Sequence, residues 1–342
     1  MSSNVTRNVA YNYWVPLEIQ QQIYSVLDSF FILLTVVTMP IYTVLLYTLI
    51  KHHKKLNSVF FTFCVSTGFA DIWLTVHKYI FTILARQFYR NQVKDLIWFA
   101  TGSHMGIWYI YFVEVFGIML MTMNRFTALV WPLKQNQIWT PVVVRTVIFL
   151  QWTIPLPFAL YMFFPDGWAY FPDETLYPVF LNADIHYIYF TIDMIMEPGI
   201  LANMFIIQYT VMFYKMYKYS RQASRGGQQN QQSADKREIR LAISGAVLVS
   251  PYMVLVCVYM CFYKCSPIPL FVSNLFYYMT DLLQANNPYI LLLFSSSVRN
   301  LFLATILCKS AAVGTTIAVG TAPSRSNQAP RSLNKSPRSA HN

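Results

Sequence analysis

Apolar residues in this chain come in seven long runs, at about 24–50, 58–84, 97–123, 141–164, 187–214, 240–263 and 268–294, separated by short polar stretches. Each is long enough for a helix rising ~1.5 Å per residue to cross a hydrocarbon core of ~30 Å. Backbone groups inside lipid have no water to bond, so every such run must be helical. The pattern predicts an all-α polytopic membrane protein, a seven-transmembrane helix bundle over 24–296. The fifth and sixth runs carry Pro198 and Pro251, tolerated where neighbouring helices re-satisfy the freed carbonyls. Residues 1–23 are polar, with Arg7 and Glu18; the run after them is too long for a signal-peptide core, so the first helix is expected to stay in the membrane. Beyond the seventh run, Val298, Leu301, Phe302, Thr305 and Ile306 share one helical face. They predict a short amphipathic helix on the inner leaflet, over 297–310. The biased stretches 222–233 and 311–342 are expected to be disordered, the second as a basic cytoplasmic tail.

Composition sharpens that reading. Hydrophobic residues make up 56% of the 342 and charged residues 11%, with a mean hydropathy of +0.40. A soluble domain carries roughly twice that charged fraction. With the amino terminus outside, nineteen of the 25 Lys and Arg residues fall on the cytoplasmic side; Arg7, Lys78, Arg86, Arg90, Lys94 and Lys264 fall on the outer side. Asp166, Asp173, Glu174 and Asp184 all lie in the loop between the fourth and fifth runs. The positive-inside rule then predicts an extracellular amino terminus, a cytoplasmic carboxyl terminus and a place in the plasma membrane. The net charge of +11 is a topology signal; nucleic-acid binding would need a basic face on a folded soluble domain, and none is predicted. Asn4-Val5-Thr6 is a glycosylation sequon on the expected outer side. Cys64 and Cys257 sit inside apolar runs as small hydrophobes. Cys308 follows the amphipathic stretch, where a palmitoylated and an unmodified thiol are both compatible with its position. The six histidines are scattered over both membrane faces and no Gly-x-Ser-x-Gly elbow is present. No metal, no cofactor and no enzyme is implied.

The third run ends Met123-Asn124-Arg125-Phe126-Thr127-Ala128, followed by Leu129-Val130-Trp131-Pro132-Leu133-Lys134 and by Ile138-Trp139. Arg125 stands at the membrane–cytosol boundary, where a guanidinium can act as a topogenic charge or donate to a partner's carbonyls. Its placement is similar to the arginine of the Asp-Arg-Tyr motif in rhodopsin-like G-protein-coupled receptors. The full stretch resembles more closely the Asn-Arg-x-x-Ala…Pro-Leu-Lys…Ile-Trp pattern of nematode chemosensory serpentine receptors, class gamma or a sibling class of the same superfamily. That resemblance covers about 24–305. Ala70-Asp71, Trp152 with Pro155, the prolines at 198 and 251, and Asn287-Pro288 fit the wider receptor pattern. Three positions depart from it. Asn124 stands where the acidic neighbour is usual, Tyr289 follows Pro288 directly, and the loop 165–186 has no cysteine for a disulfide to the third helix. The resemblance implies a chemoreceptor of sensory neurons that couples to a heterotrimeric G protein through Asn124, Arg125, Pro132 and Leu133.

Carboxylates inside apolar runs carry the remaining information: Asp71, Glu114, Asp193, Glu197 and Asp281. An ionisable group at the bilayer centre costs at least ~2.5 kcal/mol, so such groups face the bundle interior and find partners. Glu114 lies eleven residues before Arg125, ~16 Å along the helix. With the receptor resemblance, that depth puts it beside Asp71 and near Asn287, as a pair that shares a proton, holds a cation, or stays neutral and structural. Nearer the outside, His104, Trp108, Tyr111, Phe112, Tyr252, Met253, Tyr277 and Asp281 approach one depth. They outline either a small-molecule pocket or ordinary aromatic packing. An ion-coupled transporter or ligand-gated channel is the alternative function, although the inverted repeats or paired broken helices usual there are absent from the sequence.

Overall fold

A computed structural model describes residues 17–56, 58–164, 168–170, 179–223 and 270–307. The sixth run with Tyr252 and Met253, the Asn4 sequon, Cys308, residues 224–233 and the stretch 311–342 lie outside the described residues, as do the side chains of Asp193, Glu197 and Tyr277.

The described chain is almost entirely helical, and four of its helices are long and apolar enough to cross a membrane. The first span, Leu17–Lys51, starts before its apolar run because the Gln-rich flank is made of good helix formers. The second runs as α-helix over Val59–Lys78 and continues as π-helix over Tyr79–Tyr89. The third, Ile97–Val130, is 34 residues long, ~51 Å at ~1.5 Å per residue. It overshoots the predicted 97–123 by two turns at its carboxyl end. The fourth begins at Pro141, capped where the Val143 N–H donates to Thr140 Oγ1 at 3.3 Å. It breaks after Thr153 and resumes over Leu156–Tyr161, a break that the missing N–H of Pro155 explains. The fifth is built from Ala183–Met194, a π-helical stretch Ile195–Ala202 and Asn203–Ala223. Pro198, which brings no N–H, falls inside that π stretch, where the helical ladder is already irregular.

The seventh, Leu270–Phe294, ends in a 102° bend at Ser295. The next helix, Ser296–Ile306, falls in the stretch expected to be amphipathic, starting one residue before the predicted 297–310 and ending four residues short of it. Its Val298 and Phe302 pack on Tyr42, Leu45, Leu46 and Leu49 of the first span, while Ile306 on the expected apolar face is half exposed.

The bundle turns apolar side chains outward as well as inward. Phe30, Val36, Phe69, Trp73, Phe149 and Ile206 are each at least half exposed, a surface suited to lipid and too apolar for water. The third helix is the centre: the second packs along it more extensively than any other element does. Glycines make this approach possible. A Cβ on Gly106 would run into the His77 ring, and one on Gly117 into Thr67 Oγ1, the small-residue packing that lets membrane helices close up.

Between the fourth and fifth spans, β1 (Ala169–Tyr170) and β2 (Val179–Phe180) pair antiparallel with Ala169 opposite Phe180. The Ala169 N–H donates to Thr101 Oγ1 at 3.0 Å, and Ala169 is buried against Ala85, Val93 and Ala100. The loop that has no cysteine is thus tied to the third helix by a buried hydrogen bond and methyl packing.

Candidate functional site

Four polar residues of the seventh helix recur every third position, Tyr278, Asp281, Gln284 and Asn287. At 3.6 residues per turn such spacing keeps side chains on one slowly rotating stripe, over ~14 Å here. Each rung meets a polar group of another span. The Tyr278 hydroxyl donates to Asp28 Oδ1 of the first span at 2.6 Å. Lys78 Nζ of the second span pairs with Asp281 Oδ1 at 2.5 Å. Gln284 Nε2 donates to Glu114 Oε2 of the third at 2.7 Å, and Thr75 Oγ1 approaches Gln284 Oε1 at 3.5 Å. Asn287 Nδ2 donates to Asp71 Oδ2 at 2.7 Å, an oxygen that also accepts from the Tyr42 hydroxyl. The Asp71 and Glu114 carboxyls stand close enough to interact with each other. Asp71 is 1% exposed and Glu114 5%, so the low dielectric there makes each hydrogen bond consequential.

Below this ladder lies a cavity of about 60 Å³. Asp71, Asn287 and Tyr42 line it on the side of the ladder, and Arg125, Phe60 and Tyr209 complete its wall near the carboxyl end of the third helix. A water needs at least ~10–15 Å³, so the space accommodates a few waters or a partly hydrated cation. The Arg125 guanidinium lies over the Phe60 ring at 3.5 Å. The loop after the third helix folds back on it: Trp139 Nε1 donates to Thr127 Oγ1 at 2.7 Å, and its indole meets Phe63 edge-on at 5.3 Å. Asn124 is buried and Leu133, in the turn after the third helix, is 93% exposed.

Residues 31–308 match the family model of the serpentine type 7TM GPCR chemoreceptor Srv. The chain belongs to this family. A curated relative, serpentine receptor class V-1 of Caenorhabditis elegans, is 25% identical over 282 residues, covering 79% of this chain and 86% of that protein. Of the gamma class and its siblings, the one that matches is class V. The Srv chain is therefore a multi-pass membrane protein of a chemosensory, G-protein-coupled-receptor type, from a receptor family and not an enzyme family.

Within this Srv receptor, the buried group Asp71, Glu114 and Asn287 comes together as expected from sequence. The expected ligand-pocket residues divide between two neighbourhoods. Trp108 and Phe112 pack with Met162, Ile185 and Tyr189 against the fourth and fifth helices, with Trp108 4.4 Å from Phe112 and 5.2 Å from Tyr189, ring to ring. Tyr111 is partly buried along the same wall, and His104 is partly buried one to two turns above. Asp281 lies on the other side, between the second and seventh spans. Lys78, placed by the sequence near the outer end of the second helix, is buried there and paired. Asp28, Tyr42 and Gln284 went unnoticed. The three-residue polar spacing on the seventh helix was the available signal for Gln284, and Asp28 could have been found as a carboxyl near the start of the first run.

Proposed function

We propose that this Srv receptor binds a small-molecule or pheromone ligand in the outer half of its bundle and activates a heterotrimeric G protein at its cytoplasmic face. The supporting observation is the continuous polar path along the seventh helix, from Asp28 and Lys78 through Glu114 and Asp71 to the cavity over Arg125. A ligand that favours one packing of the outer helices shifts a two-state equilibrium, and a path of this kind couples that shift to the inner face. Asn124, Arg125, Pro132 and Leu133 form the coupling surface. Exposed Leu133 offers an apolar anchor for the partner, and Arg125 a bidentate donor for its carbonyls. The amino terminus faces outward, with Asn4 open to glycosylation; the tail and Cys308, a palmitoylation candidate, face the cytoplasm; and sensory neurons are the place of action. The test is Arg125→Ala in a cell line reporting G-protein activation. Signalling is expected to vanish while surface level stays normal; normal signalling would leave Arg125 as a topogenic charge.

A further inference from the structure

The Lys78–Asp281 pair is unequal in access. The Lys78 side chain is 8% exposed and that of Asp281 24%, so a molecule entering the space between the helices meets the carboxylate first. Charge balance points the same way. Among the described residues, Asp28, Asp71, Glu114 and Asp281 lie within the bundle against one buried ammonium, that of Lys78. Buried carboxyls in excess of cations take up protons or a further cation, and Asp281, already ion-paired, is the one with a cation in place. Beside the pair is a cavity of about 20 Å³ whose lining includes Thr35, Thr38, Thr75 and Tyr79, room for an ammonium head. Phe31, which lines this cavity, stacks on buried Tyr278 at 5.4 Å between ring centres, so one wall of the space is aromatic, a face beside which a cation is stable.

Resting on the receptor reading above, we propose that Lys78 is a tethered stand-in for the ligand's own cation. The ligand is then an organic amine, with a compact ammonium head and an apolar body, that takes Asp281 and displaces Lys78. The displaced ammonium has a second carboxyl within electrostatic reach, Glu114. Glu114 already accepts from Gln284, one turn along the helix from Asp281. Exchange at Asp281 therefore alters the charge beside the Asp71–Glu114 pair with no contact between ligand and pair. An acidic ligand would instead have to pass the more accessible Asp281 carboxylate to reach Lys78.

The full-length receptor in lipid nanodiscs is titrated with butylamine, hexylamine and octylamine, each beside its matched carboxylic acid and alcohol, with melting temperature as the readout. The same compounds are applied to cells reporting G-protein activation. An amine is expected to raise the melting temperature where its matched acid and alcohol do not. Asp281→Asn is expected to weaken that effect roughly tenfold or more in apparent affinity, as loss of one partner of a buried charge pair does. Because a lone buried charge can prevent folding, the neutral double variant Lys78→Gln/Asp281→Asn is measured as well, with the same loss expected. Stabilisation by an acid that Lys78→Gln removes, unchanged amine binding in the double variant, or no amine effect on the wild type would each overturn the proposal. Amine binding that needs Asp281 but produces no G-protein response keeps this inference and sinks the receptor reading. Ligand-independent G-protein activation with no amine effect does the reverse.

Discussion

Replacing Phe60 by leucine removes the ring beneath the Arg125 guanidinium and leaves the second span equally apolar. In receptors with an acidic neighbour before the arginine, that carboxylate can restrain it; here the neighbour is Asn124 and the ring lies 3.5 Å from the guanidinium carbon. A cation over an aromatic face contributes about 0.5–1 kcal/mol when exposed and about 2 kcal/mol when desolvated. Arg125 is half-buried at the mouth of the cavity, so about 1 kcal/mol is the appropriate figure. If the stacked arginine belongs to the resting packing, losing that energy shifts the resting-to-active ratio about fivefold, since ~1.4 kcal/mol is tenfold. Ligand-independent G-protein activation, normalised to surface receptor, is expected to rise by about that factor in Phe60→Leu and to disappear when Arg125→Ala is added. Unchanged or lower basal activity at equal surface level would refute the idea that Phe60 restrains the arginine.

Three further outcomes follow from the same structure. Asp71→Asn should change basal activity or agonist potency and weaken its dependence on sodium, because a cation between Asp71 and Glu114 then has one carboxylate fewer; identical sodium dependence in variant and wild type argues for a neutral structural pair. Thr101→Val leaves the buried Ala169 N–H without its acceptor, a loss of about 1–3 kcal/mol, expected as a lower melting temperature and faster protease cleavage in the outer loop, whereas wild-type values would show that methyl packing alone docks the hairpin. An epitope tag on the tail should be silent on intact cells and visible after permeabilisation; staining of intact cells reverses the orientation.

The described spans were legible because the bilayer fixes how long an apolar run must be, and no soluble fold asks for so many of them. Their ends were less so. Helical hydrogen bonding runs on past the apolar runs, through the helix-forming Gln20–Gln22 before the first and through Phe126–Val130, packed on the fifth helix, after the third. Asp71 and Glu114 stood out because a carboxyl in an apolar run has few explanations. Tyr42, Thr75 and Gln284 did not, since such residues are ordinary in helices and their partners depend on how each helix is rotated about its axis. Lys78 shows the same limit: at the end of an apolar run an ammonium can snorkel to water, and only Asp281, 203 residues away, reveals that it turns inward. The Trp139 motif was visible as a pattern, but its physical sense, a loop folded back onto Thr127 and Phe63, needed the third dimension.

Oocytes expressing the wild type and Glu114→Gln, with membrane current and G-protein output recorded together during exposure to an odorant and amine panel, put the central claim at risk most directly. A receptor is expected to give responses that vanish when G proteins are blocked, a shifted potency in Glu114→Gln, and no ligand-coupled ion movement of its own. A ligand-gated current that persists with G proteins blocked and vanishes in Glu114→Gln would contradict the account and make the buried acids an ion pathway.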